Sequence, residues 1–176
     1  PSFYFDSAGH HVALESLKEG LAQARGLVVV TGEVGAGKTT LVRAVLGAHE
    51  PSRQVTAQIC STQLDADELL RAVVLAFGIV AEALSAAELR PALDHFVHEV
   101  QAQGREPVLI VDEAQNLRRS AFELLLSLAA SGADGRAGLR VCLLGQPELR
   151  AMLETGELVH VRRQVEVSCH LGPLDR

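Results

Sequence analysis

Apolar residues fall along this chain in three recurring patterns. Continuous runs rich in β-branched residues occur at Leu27-Val28-Val29-Val30-Thr31, at Pro107-Val108-Leu109-Ile110-Val111 and from Leu139 to Leu144, and each reads as a buried strand. Two stretches alternate instead. Gln54 to Cys60 sets Val55, Ala57 and Ile59 on one face, and Val165, Val167 and Cys169 read as an edge strand. Between the strands the spacing becomes helical. Ala13, Leu14, Leu17 and Leu21 predict a helix from His10 to Arg25, and Thr40 to Leu46 predicts the next. Asp65-Ala66-Asp67-Glu68 opens a helix carrying Leu69, Leu70, Val73, Val74 and Phe77, which Gly78 ends. Ser85 and Glu88 stand at capping-box spacing before a longer helix running to about Gln103. Ser120 and Glu123 repeat that spacing before Ala121 to Ala130, and Pro147 suits the first turn of a helix from Glu148 to Leu153. Strands alternating with helices predict an α/β fold: about five mostly parallel strands, helices on both faces, and one domain over residues 1–176.

One junction between these elements carries chemistry. Gly32-Glu33-Val34-Gly35-Ala36-Gly37-Lys38-Thr39 lies between a strand and a helix and fits the phosphate-loop spacing at every required position. Glycines let the backbone curl with its N–H groups inward, a nest for phosphate oxygens, and the following helix adds the positive end of its dipole. Lys38 can reach terminal phosphates, Thr39 can ligate magnesium, and Thr40 follows in the first helical turn. A second junction is Asp112-Glu113, at the tip of an apolar strand. Carboxyl ends of parallel strands gather at the ligand crevice, so Asp112 is expected beside the magnesium of Thr39. Glu113 can accept a hydrogen bond from water and aim it at the terminal phosphate. Gln146 ends a further strand, where its amide could touch that phosphate or the attacking water.

Composition trims the alternatives. A hydrophobic share of 48% fits a globular domain with a real core. A net charge of -6 argues against a dominant nucleic-acid surface, while Arg118, Arg119, Arg136 and Arg140 leave room for a local basic patch. The three cysteines, Cys60, Cys142 and Cys169, are widely spaced and read as buried reduced thiols. His95, His98 and Glu99 lack a further ligand and read as a solvated helix face. Phe3, Tyr4 and Phe5 hold three of the six aromatics, a density that suits packing on the core edge or lining a nucleotide base. No apolar run approaches the roughly 20 residues that span a bilayer, and no signal peptide is visible. The expected location is cytoplasmic, with any inner-membrane tether outside this chain. Because the chain opens at Pro1, a fragment of a longer protein is expected.

At this point the chain resembles the ATPase core of AAA+ proteins, closest to the secretion-type group related to general secretion pathway protein A, which has relatives among transposition ATP-binding proteins. The resemblance rests on His10-His11-Val12-Ala13-Leu14, the phosphate loop through Thr40, Val111-Asp112-Glu113-Ala114-Gln115-Asn116-Leu117, Gly145-Gln146-Pro147-Glu148-Leu149, and His170-Leu171-Gly172-Pro173-Leu174. It implies a three-layer P-loop NTPase fold, here without the small helical lid that follows the last strand in similar proteins. It implies ATP and magnesium bound by Lys38 and Thr39, with His10 beside the nucleotide. Asp112 would support the metal, Glu113 would activate water, and Gln146 would sense the terminal phosphate. An arginine near the final strand, Arg162 or Arg163, would act in trans on a neighbouring subunit, so an ATP-loaded homo-oligomer is implied.

The leading expectation is therefore an ATPase that drives assembly or remodelling of a partner in secretion or pilus machinery. Two alternatives stay open: a nucleotide-dependent scaffold that does not hydrolyse, and a DNA-associated ATPase of the transposition kind. A small-molecule kinase fits poorly, because Glu113 beside Asp112 suits water as the nucleophile. The sequence has no Asn-Lys-x-Asp stretch to read guanine.

Overall fold

The computed structural model describes Glu15 and residues 18–20, 26–48, 53–60, 63–81, 83–130 and 138–172. The chain runs β1 (Leu27–Gly32), α1 (Lys38–Ala48), β2 (Gln54–Cys60), α2 (Ala66–Ala76) and α3 (Ala86–Ala102). It continues through β3 (Glu106–Asp112), α4 (Arg119–Ala129), β4 (Arg140–Gly145), α5 (Pro147–Glu154), α6 (Val159–Arg162) and β5 (Val165–Leu171). The five strands form one sheet in the order β2-β3-β4-β1-β5, with every pairing parallel.

The apolar patterns map onto this order. Every residue of β1 and β4 is buried, as is β3 from Pro107 to Val111, because the central strands are covered on both faces. The outer strands β2 and β5 alternate between covered and exposed positions. Side chains of one strand point to opposite faces in turn, so the sheet separates two cores. On one face Leu27, Val29, Leu109, Val111, Val141 and Leu143 meet α2 to α6, centred on the fully buried Phe122. Truncating Phe122 to alanine would cost about 3–5 kcal/mol. On the other face Val28, Val30, Val108, Ile110, Cys142 and Leu144 meet Val42, Val45 and Leu46 of α1. Gly20 lies on this second face, where a Cβ would fall 2.5 Å from Val167. That glycine belongs to the helix expected over His10 to Arg25, most of which lies outside the described residues.

Two helix starts follow the expected capping and one does not. The Glu68 N–H donates to Asp65 Oδ1 while the Asp65 N–H donates to Glu68 Oε2, both at 3.0 Å. Glu88 accepts from the Ser85 hydroxyl at 2.6 Å and from its N–H at 2.8 Å, which hold the Glu88 carboxyl below its ordinary value. α4, by contrast, begins two residues early. Arg118 stands at its N-cap, Ser120 is already helical, and Glu123 pairs with Arg119 at 3.1 Å. The i,i+4 ion pair takes the carboxylate that the capping box would have used.

Two other expectations are corrected. Cys60 is exposed, not buried, because it ends the outer strand β2, while Cys142 and Cys169 are buried. The arginines do not form one patch either. Arg140 starts β4 at the amino edge of the sheet, only 9% exposed and 3.2 Å from Glu106. Arg118 and Arg119 stand beyond the carboxyl end of β3, at the opposite edge. Arg136 lies outside the described residues. His95 Nε2 and Glu99 Oε1 sit 3.4 Å apart on the exposed side of α3.

Candidate active site

The site forms where three strands end. β1 runs into the loop Glu33–Gly37, which turns into α1. Gly35 and Gly37 take φ of 82° and 75°, a region side chains disfavour, which is what the glycine spacing anticipates. Gly32 is constrained differently: a Cβ there would fall 2.8 Å from the Leu171 carbonyl on β5. The loop closes on itself through the Ala36 N–H to the Glu33 carbonyl at 3.1 Å. Ala36 is buried, whereas Glu33 and Val34 face solvent and Thr40 is exposed on the first turn of α1. Lys38, first in α1, is only 7% exposed. Its ammonium donates to the Gly32 carbonyl at 2.8 Å and the Glu33 carbonyl at 3.0 Å, which compensates its burial. The lysine therefore spans the loop it is expected to serve, at the positive end of an 11-residue helix.

Thr39 connects this loop to the acids. Its hydroxyl donates to Asp112 Oδ2 at 2.7 Å, and Asp112 Oδ1 accepts the Glu113 N–H at 2.9 Å. β4 lies between β1 and β3, so Gly145 and Gln146 project between loop and acids. Glu113 is held in the left-handed region at φ 53°, uncommon for a residue with a Cβ. Its Oε2 accepts from Gln115 Nε2 at 2.6 Å and from Gln146 Nε2 at 3.2 Å. The oxygen-rich set of Thr39 hydroxyl and Asp112 carboxylate suits a hard cation such as magnesium.

Most of the expected site residues thus converge: residues 32–39 with Asp112, Glu113 and Gln146. Arg162 and Arg163 do not join them. Both are exposed and precede β5, whose first residue pairs with Leu27 at the far end of β1 from the phosphate loop. His10 lies outside the described residues, as do Phe3, Tyr4 and Phe5. Gln115 is the member that strand and loop patterns did not single out. Its signal was a place in the string Val111 to Leu117 that carries the resemblance, an amide two positions past the paired acids.

Around the site, Thr31 is buried and its hydroxyl lies 3.0 Å from His170 Nδ1 on β5. Cys60 pairs in register with Asp112. Desolvation, then the negative charges of Asp112 and Glu113, raise the Cys60 thiol above its ordinary value. Burial pushes Cys142 up to about 12.

Comparison with known proteins accords with this geometry. A family model described as an AAA domain matches residues 21–153. General secretion pathway protein A of Aeromonas hydrophila is 35% identical over 176 residues, covering 99% of this chain and 32% of that protein. The chain thus spans about a third of that relative's length. Among solved structures, the ORC2 protein of Aeropyrum pernix superposes with a TM-score of 0.70 at 18% identity, over 98% of this chain and 50% of that one. Cdc6p of Pyrobaculum aerophilum gives 0.71 at 16% identity, over 97% and 48%. The P-loop NTPase domain of the sigma-54 transport activator from E. coli gives 0.53 at 14% identity, over 97% and 99%. These structural likenesses are likenesses of fold. The family match extends over most of the chain, and the chain belongs to the AAA domain family, as an AAA+ P-loop core.

Proposed function

We propose that this domain binds and hydrolyses magnesium-ATP, and that turnover rearranges a partner assembly. The observation that supports this most is the 2.7 Å hydrogen bond from Thr39 to Asp112, which links the phosphate loop to the acidic strand tip. Lys38 and the inward N–H groups of the loop bind and orient the triphosphate, and the charge on Lys38 offsets developing negative charge. Thr39 and Asp112 hold magnesium, which neutralises phosphate charge when bound. Glu113 takes a proton from the attacking water. The Gln146 amide, within reach of Glu113, orients that water or touches the terminal phosphate.

Residues 1–176 act as one nucleotide-binding core. Arg162 and Arg163 stand apart from the chain's own phosphate loop, which favours their acting on a neighbour's nucleotide within an ATP-loaded homo-oligomer. The similarity to general secretion pathway protein A supports a partner in a secretion pathway. Among the described residues no helix is long and apolar enough to cross a membrane.

The test is phosphate release by the full-length protein beside its Glu113→Gln variant, with magnesium-ATP binding followed by calorimetry. Hydrolysis predicts unchanged binding and a turnover loss of about 10²–10⁴-fold in the variant. Equal, negligible release by both, with ATP still bound, would replace this reading with a nucleotide-loaded scaffold.

A further inference from the structure

We propose that Gln115 is a positioning residue that holds Glu113 in place and ties it to Gln146. The proposal rests on the hydrolytic reading above. Gln115 follows β3 in the single helical turn Ala114–Asn116, half-buried between the tips of β3 and β4. Its Oε1 accepts the Gln146 backbone N–H at 3.1 Å, and its Nε2 donates to Glu113 Oε2 at 2.6 Å. A backbone N–H can only donate, so Oε1 must face Gln146 and the NH₂ must face Glu113. Only a side chain with an acceptor and a donor at this reach makes both bonds. A glutamate has the acceptor without the donor, an asparagine is one methylene short, and a methionine has neither.

Two further observations show that the surroundings are fitted to this side chain. Gly145 leaves the room it occupies: a Cβ there would fall 2.8 Å from Gln115 Oε1, as well as 2.7 Å from Leu149. Glu113 sits at φ 53°, a conformation that persists only where neighbours over-determine it. Its backbone N–H is held by Asp112 and its carbonyl by the Asn116 N–H at 3.0 Å. Its carboxylate is aimed by Gln115 and Gln146. Gln115 thus joins the residue that receives the water proton to the residue that faces the terminal phosphate. The pair then keeps one spacing when nucleotide arrives.

The experiment compares full-length wild type with Gln115→Met, Gln115→Glu, Gly145→Ala and Glu113→Gln. Magnesium-ATP affinity is read by calorimetry, kcat and KM by phosphate release, and the position of Glu113 from a crystal structure of the methionine variant. The expected result for Gln115→Met is affinity and KM within about threefold of wild type and kcat lowered at least about tenfold. Gln115→Glu, which sets a carboxylate against Glu113, loses at least as much, and Gly145→Ala shows the same split. A kcat for Gln115→Met within about twofold of wild type, or a loss matched by equal loss of affinity, overturns the proposal. Should wild type bind ATP yet release no more phosphate than Glu113→Gln, the hydrolytic reading falls and the crystal structure decides for Gln115. Departure of Glu113 from its left-handed position or from Gln146 sustains the positioning role, and an unmoved Glu113 rejects it.

Discussion

The phosphate loop and the acid–amide cluster face each other at one edge of one sheet, but they are built differently. The loop is eight consecutive residues, 32–39, whose recognition groups are mostly backbone N–H groups shaped by glycine. The cluster is four side chains, Asp112, Glu113, Gln115 and Gln146, brought from two strand ends and pinned by hydrogen bonds. The loop tolerates exposure at Glu33 and Val34 because their side chains do little. The cluster has less slack, since each of its residues is tied to another by a hydrogen bond. Binding therefore resides in a contiguous element and chemistry in an assembled one.

The largest test of that division is Lys38→Ala, which removes the loop side chain that reaches for the phosphates. Magnesium-ATP affinity should fall by about 10–100-fold in calorimetry, the worth of one or two charge-assisted hydrogen bonds. Equal affinity in the variant would shift the anchor away from the loop. Next comes Gly32→Ala, which drives a Cβ toward the Leu171 carbonyl. Urea unfolding should show a loss of about 1–3 kcal/mol, because backbone of β5 must shift. Glu113→Gly makes the opposite trade. Relief of the left-handed φ should leave stability unchanged or raised by up to about 1 kcal/mol, while turnover disappears. A marked destabilisation there would mean the cluster supports the fold and not only the chemistry. The smallest effect is at the neighbouring thiol. Asp112 is the second cause of the raised Cys60 value, so Asp112→Asn should lower it and enlarge the thiolate fraction at pH 8. Thiol labelling of Cys60 should accelerate in the variant, modestly, since desolvation, the largest cause, stays in place. Slower labelling would contradict the sign.

The same division explains what the sequence could disclose. Strand count, strand type and the phosphate loop were legible because each is written in consecutive residues: apolar runs for covered strands, alternation for outer ones, glycines at fixed offsets. Asp112, Glu113 and Gln146 were legible as strand-end polar groups once the sheet was taken as parallel. Gln115 was not, because the half of its role that ties Glu113 to Gln146 depends on Gly145 and Gln146, about thirty positions away in β4 and its exit. The cap of α4 was misread because an Arg119–Glu123 pair competed for the same carboxylate. The burial of Cys60 was misread because alternation does not say which strand is outermost.

The strand order has a consequence for how such a chain is made. β1 finds no partner among the segments that immediately follow it. It is flanked by β4 and β5, and Thr31 waits for His170, 139 positions later. Ribosomal synthesis therefore delivers β1, a wholly buried apolar ribbon, ahead of both strands that flank it. A nascent chain stalled ahead of β5 would present β1 with an open flank, a template for unwanted association that only completion of the last ribbon removes.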